Sequence, residues 1–160
     1  MARLSLLNHR ELEFKYLNSQ VEKDTNISYL DLSINFYIND KSAFNPEIFK
    51  TVPDNSYWNA RNFFKVYDEK STTTSLPEKI LDFINSMDTE FRYSTIEPDF
   101  NIVIKKDVYE EFIFILNLDF YNLGLAIAYG EGEISIKSFV TQDKLETFCV
   151  ELKKEINEIN

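Results

Sequence analysis

The side chains that run most group-transfer and hydrolytic chemistry are scarce in this chain. It has one histidine, His9, and one cysteine, Cys149. A serine or cysteine nucleophile needs a base, usually an imidazole, placed by a scaffold. His9 follows three leucines at the start of the chain and reads as part of a fraying terminus. Cys149 falls on the apolar stripe of a C-terminal amphipathic segment, where a thiol packs as a small hydrophobe, and nothing nearby in sequence would lower its pKa. One His and one Cys cannot assemble a standard zinc site. Gly130-Glu131-Gly132 lacks the third glycine and the Lys-Ser/Thr of phosphate-cradling loops, and reads as a hairpin turn. The expectation is a chain with no catalytic centre of these kinds, no cofactor and no metal.

Carboxylates offer one more concrete pattern. Pro53-Asp54, followed by Asp68-Glu69-Lys70, resembles the Pro-Asp…(Asp/Glu)-x-Lys signature of a large metal-dependent nuclease family. Asp54 and Asp68 could hold Mg²⁺ and Lys70 could position the attacking water, provided the two acids stand on adjacent strand ends. Turn and loop residues are the plainer reading. Glycoside hydrolysis would need two carboxylates of matched geometry, and with 27 acids in the chain the sequence selects no pair.

Two groups of residues suit contact rather than catalysis. Tyr57-Trp58, with Phe63, Phe64 and Tyr67 shortly after, is the densest aromatic segment, and such a cluster serves as a protein-binding anchor or a sugar platform, or packs as a lid on a sheet. Acids gather where strands are expected to turn: Asp88, Glu90, Glu97 and Asp99, then Asp107, Glu110 and Glu111, then Glu131 and Glu133. Side by side they would form a negative face that steers a basic partner; separately they are a solvated surface.

The elements that must place these groups follow from periodicity. Glu11–Leu17 is a plausible first strand. In 27–38, Ser28, Leu30, Leu32, Ile34, Phe36 and Ile38 alternate with mostly polar neighbours, which is a half-buried strand. The stretch 41–74, with Pro46 and Pro53, reads as a long connection in which lid, helix and strand all stay open. Ser75-Leu-Pro-Glu78 has the residues of a capping box with Pro in the first turn; it opens a helix over about 75–87 with Leu76, Ile80, Phe83, Ile84 and Met87 on one face. Strands are expected at 100–104, 111–120, 123–129 and 133–140. Thr141 then caps a helix over about 142–158, whose Leu145, Phe148, Cys149, Leu152, Ile156 and Ile159 recur at helical spacing. The fold class is α+β: a mostly antiparallel sheet with two amphipathic helices packed on one face.

Composition sets the outer bounds. A length of 160 residues, 44% hydrophobic with only 3 Gly and 4 Pro, fits one domain with a full core. The formal charge of −10 opposes binding to nucleic acid or phospholipid and favours a basic protein partner. One cysteine makes no internal disulfide, no stretch matches a signal-peptide core, and no run reaches the roughly 18 apolar residues of a membrane span. A cytoplasmic protein is expected.

From about residue 96 to 156 the layout resembles the WapI-like family of immunity proteins. The residues that carry the resemblance are Ile96-Glu-Pro-Asp-Phe-Asn-Ile-Val-Ile104, Phe112-Ile-Phe-Ile-Leu-Asn-Leu-Asp119, and Ile134-Ser-Ile-Lys-Ser-Phe-Val140 leading into Asp143–Ile156. The first half does not align, so no functional residue carries over. The resemblance implies a non-enzymatic inhibitor that binds a toxin domain and blocks its active site or substrate groove. Beside it stand two other readings: an accessory or structural interaction domain of a phage or mobile element, and the divalent-metal nuclease arrangement of Asp54, Asp68 and Lys70.

Overall fold

The computed structural model describes residues 1–21, 28–43, 64–69, 75–94, 100–107, 109, 111–119 and 133–159. Alternation builds most of it. The first strand, β1 (Ala2–Leu6), buries Ala2, Leu4 and Leu6 and exposes Arg3. It pairs antiparallel with β2 (Arg10–Val21), which pairs with β3 (Ser28–Ile38). Leu4 and Leu6 therefore belong to a core strand rather than a frayed end, while Leu7, exposed, and His9 lie in the β1–β2 turn. The period-two spacing of Ala2, Leu4 and Leu6 is the local signal for this strand, only three alternations long.

Two turns at the same end of this sheet use left-handed residues. Asn39 and Asp40, both at positive φ, join Ile38 to Lys41 at the start of β4 (Lys41–Ser42). Both central residues at positive φ is the type I′ geometry that matches strand twist, and Asn and Asp adopt it at low cost. Asn8 and His9 also take positive φ, in the three-residue loop that joins Leu6 to Arg10. The Asn39 N–H donates to the His9 carbonyl at 2.9 Å, which joins the two turns. The long connection expected over 41–74 contains two strands, β4 and β5 (Phe64–Glu69), and β5 pairs antiparallel with β3.

The chain then forms α1 (Leu76–Asn85), four strands in sequence order, β6 (Glu90–Ser94), β7 (Phe100–Lys106), β8 (Glu111–Asp119) and β9 (Glu133–Thr141), and α2 (Gln142–Glu158). The four strands are all antiparallel and make a second sheet. The α+β class and antiparallel pairing are as the sequence suggests, but the strands divide between two sheets. The expected strand at 123–129 and the hairpin at 129–133 lie outside the described residues.

One hydrophobic cluster takes side chains from both sheets and both helices. Phe14 of β2 meets Phe148 of α2 edge-on at 5.3 Å and Phe100 of β7 at 6.4 Å, so sheet, helix and second sheet join at one ring. Full burial of each such side chain is worth about 1.5–3 kcal/mol. The helices pack on one another, α2 lies against β1, β2 and β9, and α1 lies against β6. An ion pair ties them: Lys153 of α2 reaches Glu78 of α1 at 2.8 Å. The capping box therefore does not form. Ser75 occupies the N-cap position without a side-chain cap bond, and Glu78 pairs across the helix interface.

The stripe on α2 runs as expected through Leu145, Phe148, Cys149, Leu152 and Ile156, with Glu155 added to its buried residues. Helix α1 buries Leu76, Ile80, Phe83 and Ile84 but stops at Asn85. Met87 lies beyond its end, 98% exposed. No helix among the described residues is long and apolar enough to cross a membrane.

Candidate functional site

The single thiol is a packed group. Cys149 is buried among the core residues, and burial, with a smaller contribution from Glu146, pushes it up to about 12. At neutral pH it keeps its proton and has no nucleophilic character. Among the described residues no three His, Cys, Asp or Glu side chains gather as a metal site. Asp68 stands in β5 at the register position opposite Leu30; Asp54 and Lys70 lie outside the described residues, as do Tyr57, Trp58, Glu97, Asp99, Glu110 and Glu131.

The five remaining acids of the expected contact surface, Asp88, Glu90, Asp107, Glu111 and Glu133, do not share one face. Glu133 pairs with Asp119 at one end of β8 and Glu111 pairs with Thr141 at the other. Eight steps of about 3.4 Å put some 27 Å between those ends. Asp88 and Glu90 belong with Glu111. The α1–β6 turn that carries Asp88 is bonded to the end of β7, because the Lys106 N–H donates to the Thr89 carbonyl at 3.0 Å and the Lys106 Nζ donates to the Ser86 carbonyl at 2.5 Å. The β7–β8 turn closes beside it, with the Asp107 N–H donating to the Glu111 carbonyl at 2.8 Å.

This end of the second sheet therefore brings together Asp88, Asp107 and Glu111. Ser86 shapes the first turn: its hydroxyl accepts the Asp88 N–H at 3.1 Å and donates to the Asp88 carboxylate at 3.2 Å. Glu90 is locally neutralised. Lys105 bonds it at 2.8 Å across the β6–β7 pair and Arg92 bonds it along the strand. Those two bonds, from Lys105 first and then Arg92, hold its carboxyl below the ordinary glutamate value.

Two large side chains that sequence reasoning left out of the contact surface stand at the same end. Met87 is almost wholly solvated and Tyr109, in the β7–β8 turn, is 81% exposed. Each projects from a turn that hydrogen bonds hold to the sheet. Met87 fits the helical spacing after Phe83 and Ile84 and so reads as a core residue, and Tyr109 stands alone between Asp107 and Glu111 with no periodicity to mark it.

A second polar group lies on the outer face of the first sheet. Arg3 bonds Glu11 at 3.1 Å and Glu13 at 3.0 Å and stacks over the Tyr37 ring at 5.1 Å. The Tyr37 hydroxyl donates to Glu13 at 3.4 Å and accepts from Asn35 at 2.9 Å. Burial first, and then the Glu13 charge, push the Tyr37 phenol above its usual pKa. Every member is taken up by a cross-strand neighbour, so the group stabilises β1, β2 and β3.

The chain matches no protein-family model and no curated protein sequence.

Proposed function

We propose that this chain acts by contact, as a binding protein of the immunity kind that neutralises a basic toxin domain. The observation that carries the reading is the end of the second sheet, where Met87 and Tyr109 stand exposed beside Asp88, Asp107 and Glu111. Tyrosine anchors at fixed positions supply contact area with little loss of side-chain freedom. Carboxylates around them speed encounter with a cationic cleft and can occupy the places meant for substrate phosphates. The overall charge of −10 extends the same attraction to longer range, and the resemblance of residues 96–156 to WapI-like immunity proteins points to the same role.

The test is co-expression. A toxin domain encoded immediately beside this gene should arrest growth alone and lose that effect when the chain is present. Equal killing with and without the chain would overturn the immunity reading, and an isolated gene would favour an accessory domain of a phage or mobile element. Cleavage of DNA or RNA with Mg²⁺ or Mn²⁺, lost in Asp54→Ala and Asp68→Ala, would replace both with the hydrolytic reading.

A further inference from the structure

The outer face of the second sheet carries an apolar block that the core does not use. Core residues of β7, β8 and β9 are Phe100, Ile102, Ile104, Phe112, Phe114, Leu116, Leu118, Ile136 and Val140, all on even positions. Among the described residues Val103, only 7% exposed, is the one buried hydrophobic outside that cluster. It pairs with Ile115, and Ile113 pairs with Phe139, which is 39% exposed. Odd positions point away from the core, so these four side chains form a patch on the opposite face.

Charges frame the patch in a definite order. The register makes one cross-strand row of Arg92, Val103, Ile115 and Lys137, and the next row of Glu90, Lys105, Ile113 and Phe139. We propose that this face takes a second copy of the same chain, packed sheet on sheet about a two-fold axis. Aligned sheets stack about 10 Å apart with strands within about 30° of parallel. An axis across the strands, between the two rows, lays each row on the other row of the second copy. Ile113 then meets Ile115, Glu90 meets Arg92, the Phe139 ring meets the Lys137 ammonium, a cation–π arrangement, and Val103 meets Lys105, whose aliphatic stem can lie along it. No like charges face each other. An axis along the strands would set Arg92 against Lys137, and repulsion excludes it. The complementarity is therefore of the face with itself, which is what a two-fold interface requires.

The size of the face sets the strength. Four strands at about 4.8 Å and eight steps at about 3.4 Å give a footprint of roughly 19 by 27 Å, or about 1,000 Å² for both copies. That is the lower edge of a specific interface, so the dimer is a reversible one. This inference is independent of the toxin reading, which concerns the turns at one end of the sheet.

Sedimentation velocity on the full chain from about 1 to 300 μM tests it. The weight-average mass should climb from 18.9 kDa toward twice that value. Phe139→Glu and Ile115→Glu should hold it at the monomer value while circular dichroism stays unchanged; Phe139, exposed and outside the core, keeps that comparison valid if Ile115→Glu loosens the fold. Arg92→Glu, which would face Glu90 of the second copy, should weaken association at least about tenfold, and Arg92→Lys should retain it. A wild-type chain that stays monomeric throughout, a dimer that survives Phe139→Glu, or Arg92→Glu associating like wild type would each overturn the proposal.

Discussion

Glu155 of α2 accepts the backbone N–H of Tyr16 at 3.0 Å, just past the point where β1 stops covering β2. The β1–β2 ladder ends at Ala2 and Phe14, and β2 then bulges between Tyr16 and Asn18 against β3. A strand that loses its neighbour inside a protein leaves amides that need another acceptor. One helical turn earlier, Glu151 accepts the Arg3 N–H at 3.3 Å. The helix thus completes the sheet edge with two carboxylates spaced i, i+4 on one side of α2, and the other Glu155 oxygen lies against the N-terminal ammonium.

Removing the Glu155 carboxylate should therefore cost more than an ordinary surface change. Glu155→Ala leaves a buried N–H without an acceptor, a loss of about 1–3 kcal/mol. Glu155→Gln keeps the acceptor oxygen and should lose less. Urea unfolding of both variants against wild type measures the difference, and equal loss in the two would assign the effect to charge rather than to the Tyr16 bond.

How much of this was legible in the sequence depends on the range of the interaction. Leu30, Leu32 and Ile34 announced a strand, and Leu145, Phe148, Cys149 and Leu152 a helix, because alternation and helical spacing are local. The division of the strands into two sheets was not legible, since it depends on which distant edges find each other. Glu155 could have been flagged: it lies three residues after Leu152 and seven after Phe148, on the core stripe, where a carboxylate needs a partner. Ser75 and Glu78 form a capping sequence, yet Lys153, distant in sequence, takes the carboxylate. At the candidate site, Asp88 and Glu111 are visible as acids, but their place at one end of the sheet depends on Lys106 bonding the α1–β6 turn to the end of β7.

Cys149 should resist thiol reagents. With its pKa raised to about 12, the thiolate is scarce at pH 8 and the sulfur is enclosed. Labelling of the native chain should follow global opening, rising by orders of magnitude in denaturant. Because the raised value favours the protonated thiol in the fold, its stabilising contribution is complete below about pH 8.5 and fades as pH rises toward 12. Rapid native labelling at pH 8 would show that α2 does not bury this face.

The Glu78–Lys153 pair is half-exposed on the lysine side, so its coupling should be small. A double-mutant cycle with Glu78→Ala and Lys153→Ala should give under about 1 kcal/mol, reduced further by salt. A coupling above 2 kcal/mol would mean that the pair holds the helices together more than the apolar contacts do.

Glu90 links charge to pH at the sheet surface. Its carboxyl is held below the ordinary value by Lys105 and Arg92, so it favours the fold fully above about pH 4.3, and that contribution is lost as pH falls through the lower folded value. Glu90→Gln should flatten the acid limb of thermal stability slightly and leave neutral pH nearly unchanged. An unaltered acid limb would show that the two cations find other partners.

In the proposed function the turns carrying Met87, Asp88, Tyr109 and Glu111 make the contact. The deciding measurement is calorimetric titration of the purified chain, at low and high salt, with a basic toxin domain that it protects against in co-expression. Tyr109→Ala and Met87→Ala should each weaken binding at least about tenfold without changing the unfolding midpoint, because both side chains are solvated. Asp88→Asn with Glu111→Gln should weaken binding mainly at low salt. Affinity unchanged by both truncations and indifferent to salt would place the contact elsewhere and rule these turns out.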